Sequence, residues 1–545
     1  MLNKRESLKA VRNEFAWNIP ERYNMGVDVC DRWAITCPDQ VAIIHDDGSE
    51  FEGSVEEITY QDLKNRSNRL ANLLTTLGVN QGDRVGILLP QHPWTAVSHI
   101  SAWKMGAISI PLCILFGEES LEFRLTDSSA RVVITNEEGA RKMSAIRARC
   151  PDLAHVLCID SGKVKGLVDT IDLPAEVKKS SELYVALDTL AEDPALLIYT
   201  SGTTGNPKGA LHAQRTLLGH LPGVEMSHDF LPQPGDKIWT PADWAWIGGL
   251  MDVLMPALHH GIPTVSCRFE KFSGETAVAL INKHGIRNAF LPPTALKMMR
   301  MAGDECKKLK APMRSIASAG EALGAELLEW GKETFGIWIN EFYGQTECNM
   351  IVSACGCLED PQPGVMGYAV PGHDVCIISK SGEVLDPGKP GQIAVRGKTP
   401  VMFLGYWNNP EKTREKFTTE WMLTGDTGML EESGAFRFVG RDDDVITSSG
   451  YRIGPGEIEN CLLGHPAVAI SAVVGKPDLL RTEIVKAFVK LNDGYAESDA
   501  LVDELKLWVK VRLSAHEYPR EIAFIDDFPM TTTGKIIRRK LRDIS

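Results

Sequence analysis

From Asp83 onward the chain alternates short apolar runs with longer stretches of helical spacing, and that alternation leaves few folds open. DRVGILLP (Asp83–Pro90), RVVIT (Arg131–Thr135), ALLIYTS (Ala195–Ser201), IPTVS (Ile262–Ser266) and NAFLP (Asn288–Pro292) are short, apolar and rich in β-branched residues. A strand with an apolar side chain at nearly every position must be covered on both faces, which is the situation of parallel sheet between helices. HPWTAVSHISAWKMGA (His92–Ala107) supplies one such helix directly after the first strand. The expected class is therefore α/β.

The texture changes after about residue 370. CIIS, GEVL, GQIAVRG and FRFVGR are short runs bounded by Gly, Pro and Asp, and predict antiparallel ribbon. Arg441-Asp442-Asp443-Asp444 then places three acids in a row, which no core element accommodates, so a domain joint is expected there. Beyond it AVAISAVVG, EIVKAFVKL and EIAFI predict strands and DALVDELKLWVKVRL an amphipathic helix, enough for a small α+β domain. The division is thus 1–440, with parallel-rich sheets flanked by helices plus a small β-ribbon or barrel part, and 441–545, with a hinge near 441–444.

A net charge of −14 argues against a general nucleic-acid coat, which needs a basic face. MLNKRESLKAVRNEF has no apolar centre, so no signal peptide is expected, and the twelve cysteines are expected as free thiols in the cytoplasm. Cys355-Gly-Cys357 has no second pair at zinc spacing and predicts no metal site. The longest apolar run, Met105–Phe116, is shorter than the roughly 20 residues that span a bilayer and is expected in the core.

YTSGTTGNPKGALH (Tyr199–His212) follows one of the apolar runs. Its glycines do not keep Walker A spacing, yet Gly202 and Gly205 free backbone N–H groups to turn toward an anion. Thr200, Ser201, Thr203 and Thr204 add hydroxyl donors and Lys208 adds positive charge, so phosphate binding is expected. The same composition also favours a plain strand-to-helix turn.

This segment resembles the signature of the adenylate-forming superfamily: acyl-CoA synthetases, amino-acid adenylation domains and luciferases. The resemblance continues in order through SAGEAL (Ser318–Leu323), NEFYGQTE (Asn340–Glu347), LTGDTG (Leu423–Gly428), GRDDDVITSSGYRIGPGEIE, and TTTGKIIRRKLR (Thr531–Arg542), over nearly the whole chain. It implies a mobile C-terminal domain that alternates between two half-reactions about Asp443. It also implies that Gly320, Glu321 and Ala322, with Glu341, Phe342, Tyr343, Gly344 and Gln345, surround the nucleotide. Thr346 would reach the adenylate phosphate, Glu347 would hold Mg²⁺, and Asp426 and Arg441 would bind the ribose. Lys535 would stabilise charge during adenylation. Many relatives begin that last loop with Lys-Thr, whereas Met530-Thr531 stands here.

SSGYRIGP (Ser448–Pro455) and FAWNIPERYNMGVDVCDRWA (Phe15–Ala34) are most similar to the medium-chain acyl-CoA synthetase group. That similarity implies coenzyme A as acceptor, bound by Ser449, Gly450, Tyr451, Arg452, Arg481 and Arg520. Glu517 stands where relatives often carry lysine, which weakens the local attraction for CoA. Acetate-specific relatives carry tryptophan at the place of Gly344. The acyl pocket is accordingly expected to be open to longer, branched or aromatic acids, with walls from Trp244, Trp246, Ile247, Gly248 and Gly344. The partners are then ATP, CoA and a small carboxylic acid, with no nucleic acid and no membrane segment. Three alternatives share most motifs: an adenylation enzyme loading a carrier protein, a luciferase-like oxidase, and a non-turnover acyl-AMP-binding regulator.

Overall fold

The computed structural model describes residues 2–48, 54–161, 170–200, 207–269, 271–441, 444, 446–448, 451–478, 482–512, 518–531 and 535–545, with backbone alone at 441, 447, 451, 452, 457 and 482. Ser201, Gly202, Thr203, Thr204, Gly205, Asp443, Ser449, Gly450, Arg481 and Glu517 lie outside the described residues.

DRVGILLP, RVVIT and ALLIYTS become strands of one eight-stranded sheet. Arg84–Leu88, Ile108–Pro111, Val132–Thr135, His155–Cys158, Thr170–Asp172 and Pro194–Thr200 run parallel to one another, and Pro194–Thr200 pairs antiparallel on its other side with Lys208–Ala213. The segment Met105–Phe116 thus supplies an inner strand, buried at every position from Ile108 to Pro111. The helix expected after the first strand runs from Pro93 to Lys104. His92 caps it by accepting the Trp94 N–H, and Pro93 fits its first turn.

The second sheet has thirteen strands and changes character halfway. Val41–Asp46, Thr264–Cys267, Ile238–Trp239, Asn288–Phe290, Ser315–Ser318 and Ile339–Gln345 run parallel. From Ile339–Gln345 the order continues antiparallel through Cys348–Ser353, Val365–Ala369, Phe436–Arg441, Trp421–Leu430, Pro390–Arg396 and Val375–Ile378. Val55–Thr59 closes the other edge, antiparallel to Val41–Asp46. The ribbon expected after residue 370 is therefore an extension of the parallel sheet, not a separate layer. GEVL forms no strand: it returns in a turn whose one ladder contact is the bridge from Val384 to Ile378.

The small C-terminal sheet contains Val468–Asp478, Thr482–Leu491 and Glu521–Phe524, with helix Asp499–Arg512 packed against it through Leu501, Leu505 and Val509. Asp444 belongs to this part: Arg542 donates to it at 2.6 Å and Arg538 stands 3.5 Å away.

One packing detail positions the functional region. The buried helix Thr216–Ser227 carries Gly219 and Gly223 on one face. A Cβ on Gly219 would stand 2.4 Å from the Val401 nitrogen, and one on Gly223 would stand 2.6 Å from Met350 Cβ. Only glycine lets the helix approach strand Cys348–Ser353 and the 400 loop this closely.

Candidate active site

The site gathers where the second sheet switches from parallel to antiparallel. Strand Ile339–Gln345 carries most of the NEFYGQTE motif and is the switch strand itself. Tyr343 donates its hydroxyl to Asp426 Oδ2 at 2.6 Å, and Gln345 Nε2 donates to the Thr424 carbonyl at 3.0 Å and to Asp426 Oδ2 at 3.3 Å. Asp426 faces Arg441 directly across the antiparallel pair Trp421–Leu430 and Phe436–Arg441. The two expected ribose ligands are thus cross-strand neighbours on two consecutive antiparallel strands.

Glu341 is 9% exposed and accepts the Leu323 N–H at 3.3 Å, which joins the switch strand to the SAGEAL loop. Burial pushes its carboxyl up to about 7, offset only in part by that single bond. Gly320 holds a left-handed φ of +96° at the start of this loop, open to glycine without strain. Glu321 faces the C-terminal part, where its charge acts on Arg538. Phe342 packs on Phe290 at 5.4 Å.

Glu347 is buried and accepts the Tyr406 hydroxyl. Lys208 Nζ lies 4.7 Å over the Tyr406 ring. The phosphate-loop lysine and the expected metal carboxylate therefore share one tyrosine. Thr346, between Gln345 and Glu347, is half-buried. The loop that precedes Lys208 connects two antiparallel strands, Pro194–Thr200 and Lys208–Ala213, with Thr200 paired to Lys208. A strand, not a helix, follows it.

Two residues absent from the sequence expectations join the cluster. Tyr406 is one. Lys416 is the other: it donates to Gln345 Oε1 at 3.0 Å and to the Thr424 carbonyl at 2.9 Å. Its sequence context, PEKTREKF, reads as an ordinary charged surface and gives no signal.

The expected acyl wall is mixed. Trp244 is wholly buried in the core cluster that holds Trp103 and Leu250. Trp246 is half-buried and meets Phe116 edge-on at 5.8 Å. Ile247 and Gly248 open the following helical stretch. A Cβ on Gly344 would stand 2.3 Å from the Met350 nitrogen, so the close turn between the two strands itself demands glycine.

Lys535 is exposed, and the Thr531 N–H donates to its carbonyl at 2.7 Å. Just beyond it, Arg538 is held in a bidentate pair with Glu459 at 2.8 and 2.7 Å. Arg520 donates to the Tyr518 hydroxyl at 3.2 Å. Backbone at Tyr451 and Arg452 pairs with Ser448 and Thr447 in a short hairpin. Among the described residues no helix is long and apolar enough to cross a membrane.

Comparison with known proteins agrees with this geometry. The family model for AMP-binding enzyme matches residues 30–407, and that for the AMP-binding enzyme C-terminal domain matches 457–535. The acetyl-coenzyme A synthetase of Bacillus subtilis (strain 168) is 35% identical over 527 residues, covering 96% of this chain and 90% of that protein. The crystal structure of Brucella canis acyl-CoA synthetase is 34% identical, with a TM-score of 0.75 over 99% of this chain and 98% of that one. The anthranilate CoA ligase AuaEII with anthranoyl-AMP is 28% identical, with a TM-score of 0.86 over 96% of this chain and 98% of that one. With both family models matched in order and the motif residues converging on one switch strand, the chain belongs to the AMP-binding enzymes of the adenylate-forming superfamily, as an AMP-forming acyl-CoA synthetase.

Proposed function

We propose that the acid activated is larger than acetate: a medium-chain linear, branched or aromatic carboxylic acid. The observation that carries this reading is the pair of glycines at the acyl wall. No side chain fits at position 344 beside Asn349 and Met350, so that wall is backbone only. An apolar pocket distinguishes one methylene by only about 1–3 kcal/mol, so several acids of similar size should be used.

The reaction has two steps. The acid's carboxylate attacks the α-phosphorus of ATP and pyrophosphate leaves. The thiol of CoA then attacks the acyl carbonyl, forming the thioester and releasing AMP. Both partners of the first step are anions, so the chain's part is to place donors and positive charge where negative charge builds. We assign Thr200, Ser201, Gly202, Thr203, Thr204, Gly205 and Lys208 to the phosphates, Thr346 to the adenylate phosphate, and Asp426 with Arg441 to the ribose. Tyr343 and Gln345 hold the Asp426 carboxylate in place. Glu341 and the Gly320–Ala322 loop border the base. Lys535 enters for adenylation, and 441–545 turns about Asp443 to bring Ser449, Gly450, Tyr451, Arg452, Arg481 and Arg520 to CoA. The protein works in the cytoplasm on this reading.

The donor set at Glu347 fits magnesium. One buried carboxylate, steadied by Tyr406, is enough where phosphates and water complete the shell. Bound there, Mg²⁺ would neutralise phosphate charge.

The test is thioester and AMP formation with Mg-ATP over acids from acetate to dodecanoate, branched acids and aryl acids, with Lys535→Ala alongside. Turnover should peak above acetate, and the variant should lose adenylation by about 10²–10³-fold while its melting is unchanged, because the side chain is exposed. A peak at acetate would refute the wide pocket. Acyl-AMP without thioester would move the acceptor to a carrier protein.

A further inference from the structure

Behind the acyl wall three elements bring buried acceptors together. Helix Thr216–Ser227 carries His220, the π-helical turn Leu250–Leu254 carries Asp252, and strand Cys348–Ser353 carries Asn349. The three residues are 0%, 3% and 5% exposed. Asn349 Nδ2 donates to Asp252 Oδ1 at 2.7 Å, and His220 Nε2 lies 4.0 Å from the same oxygen.

The hydrogens can be placed. His220 Nδ1 lies 2.7 Å from the Thr216 carbonyl, which only accepts, so Nδ1 carries the ring hydrogen. Nε2 of the neutral ring is then an acceptor, and it has no partner. Asn349 gives an amide hydrogen to Asp252, which fixes its Oδ1 as the other end of the amide. Neither Asn349 Oδ1 nor Asp252 Oδ2 accepts a hydrogen bond from any described residue. Apart from the proton that the buried Asp252 carboxyl itself holds, the three groups have no donor to share and no cation beside them among the described residues. The nearby His212 and His373 are also buried, and burial holds both down to about 3, so they bring no charge. Burial, opposed only by the Asn349 amide, likewise raises the Asp252 carboxyl well above the ordinary carboxylate range.

The two wall glycines sit over these atoms. A Cβ on Gly248 would stand 3.7 Å from Asp252 Oδ2, and one on Gly344 would stand 2.7 Å from Asn349 Oδ1. At both positions the absence of a side chain leaves a polar oxygen uncovered toward the expected acyl space. A purely hydrocarbon acid would leave these acceptors unpaired in a dry pocket, which is costly. An ammonium group offers three donors and no acceptor, and its charge favours the ionised carboxylate of Asp252. A hydroxyl offers a single donor.

We propose that Asp252, Asn349 and His220 form a polar end to the acyl pocket, and that the preferred acid carries an amino group which donates to them. This rests on the reading that Gly248 and Gly344 line the acyl pocket. Within the medium-chain, branched or aromatic class it selects amino-substituted acids over their hydrocarbon counterparts.

The test compares sets of acids matched in length that end in amino, hydroxyl or methyl, and aminobenzoates against methylbenzoates, by kcat/KM for AMP release. The wild type should favour the amino member of one matched set by about 100-fold or more, since a site built to bond a polar group rejects the analogue lacking it. Asp252→Leu should reverse the order in that set. Asp252→Asn, nearly the same shape, guards against a folding defect: it should keep its melting temperature and lose most of the preference. Equal or better use of the methyl acid in every set by the wild type overturns the proposal, and so does a preference for the hydroxyl acid. An unchanged preference in a folded Asp252→Leu or Asp252→Asn protein overturns it as well. Those outcomes leave the ligase reading intact, whereas no AMP release with any acid would overturn both.

Discussion

Replacing Glu341 by glutamine should change how stability depends on pH, and the size follows from the burial of one carboxyl. In the folded chain the Glu341 carboxyl has one hydrogen bond, from Leu323, and burial pushes it up to about 7. Folding thus favours the protonated form. Below the unfolded value both states hold the proton and burial carries no penalty. As pH rises from 4.5 through 7 the unfolded chain releases its proton first, and stability falls. A displacement of this size corresponds to about 3 kcal/mol, reached above pH 7 and constant thereafter. Glutamine copies the shape of the protonated acid and can still accept the Leu323 N–H. Urea unfolding at pH 5 and pH 8 should therefore show the variant close to wild type at pH 5 and more stable by up to about 3 kcal/mol at pH 8. Unfolding of a chain this size need not be two-state, so the quantity to read is the difference between the two proteins in the transition that reports the N-terminal domain. An offset equal at both pH values would refute the reasoning, because it would place the carboxyl near its ordinary range in the fold.

Tyr406→Phe removes the hydroxyl that Glu347 accepts, and hydrogen bonds to charged groups contribute about 1.5–3 kcal/mol. The Mg²⁺ concentration for half-maximal turnover should rise by about tenfold with melting little changed; an unmoved Mg²⁺ dependence would remove Tyr406 from the site. Gly223→Ala should cost about 1–3 kcal/mol, because its Cβ would stand 2.6 Å from Met350 Cβ, and thermal unfolding checks it. Arg538→Met should loosen the end of the chain by leaving Glu459 without its bidentate cation and Asp444 with Arg542 as its remaining one. Limited proteolysis after residue 530 should quicken several-fold, and unchanged cleavage would show that Arg542 alone holds the helix.

Local pattern carried much of this far, and its failures have physical causes. The apolar runs were expected as inner parallel strands, because such a run must be covered on both faces, and they are inner strands, parallel on both sides except Pro194–Thr200, which is antiparallel to Lys208–Ala213. The motif residues could be placed near one another only through family resemblance. Spacing alone does not show that Asp426 and Arg441 face each other, because that depends on the register between two strands. Lys416 was illegible for the same reason, since a lysine among charges on a short helix looks like any solvated face. GEVL failed as a strand because Gly382, with φ of +87°, turns the chain back at once. Cys355-Gly-Cys357 lacks a second pair in sequence, yet the fold sets Asp229 beside both thiols, which stand 3.7 Å apart. Asp252 had a visible signal that the motif reading passed over: it is the single acid in the otherwise apolar run GGLMDVLMPAL.

The switch from parallel to antiparallel pairing explains why the chemistry gathers where it does. Open parallel sheets place ligand sites at the carboxyl ends of their strands. Ser315–Ser318 and Ile339–Gln345 end side by side there, which puts SAGEAL next to the Tyr343–Glu347 segment. An antiparallel continuation brings the opposite polarity to the same edge, so Trp421–Leu430 and Phe436–Arg441 can deliver Asp426 and Arg441 to the place where Tyr343 and Gln345 arrive. The chain leaves that edge at Arg441, directly into the joint that leads to Lys535. On the proposed roles a rotation at 441–444 would begin beside the ribose ligands, and Arg538 and Arg542 on Asp444 tie the end of the chain to the first residues of the part proposed to turn. On that proposal the C-terminal part would move as one body, while Asp426 keeps its bonds from Tyr343 and Gln345.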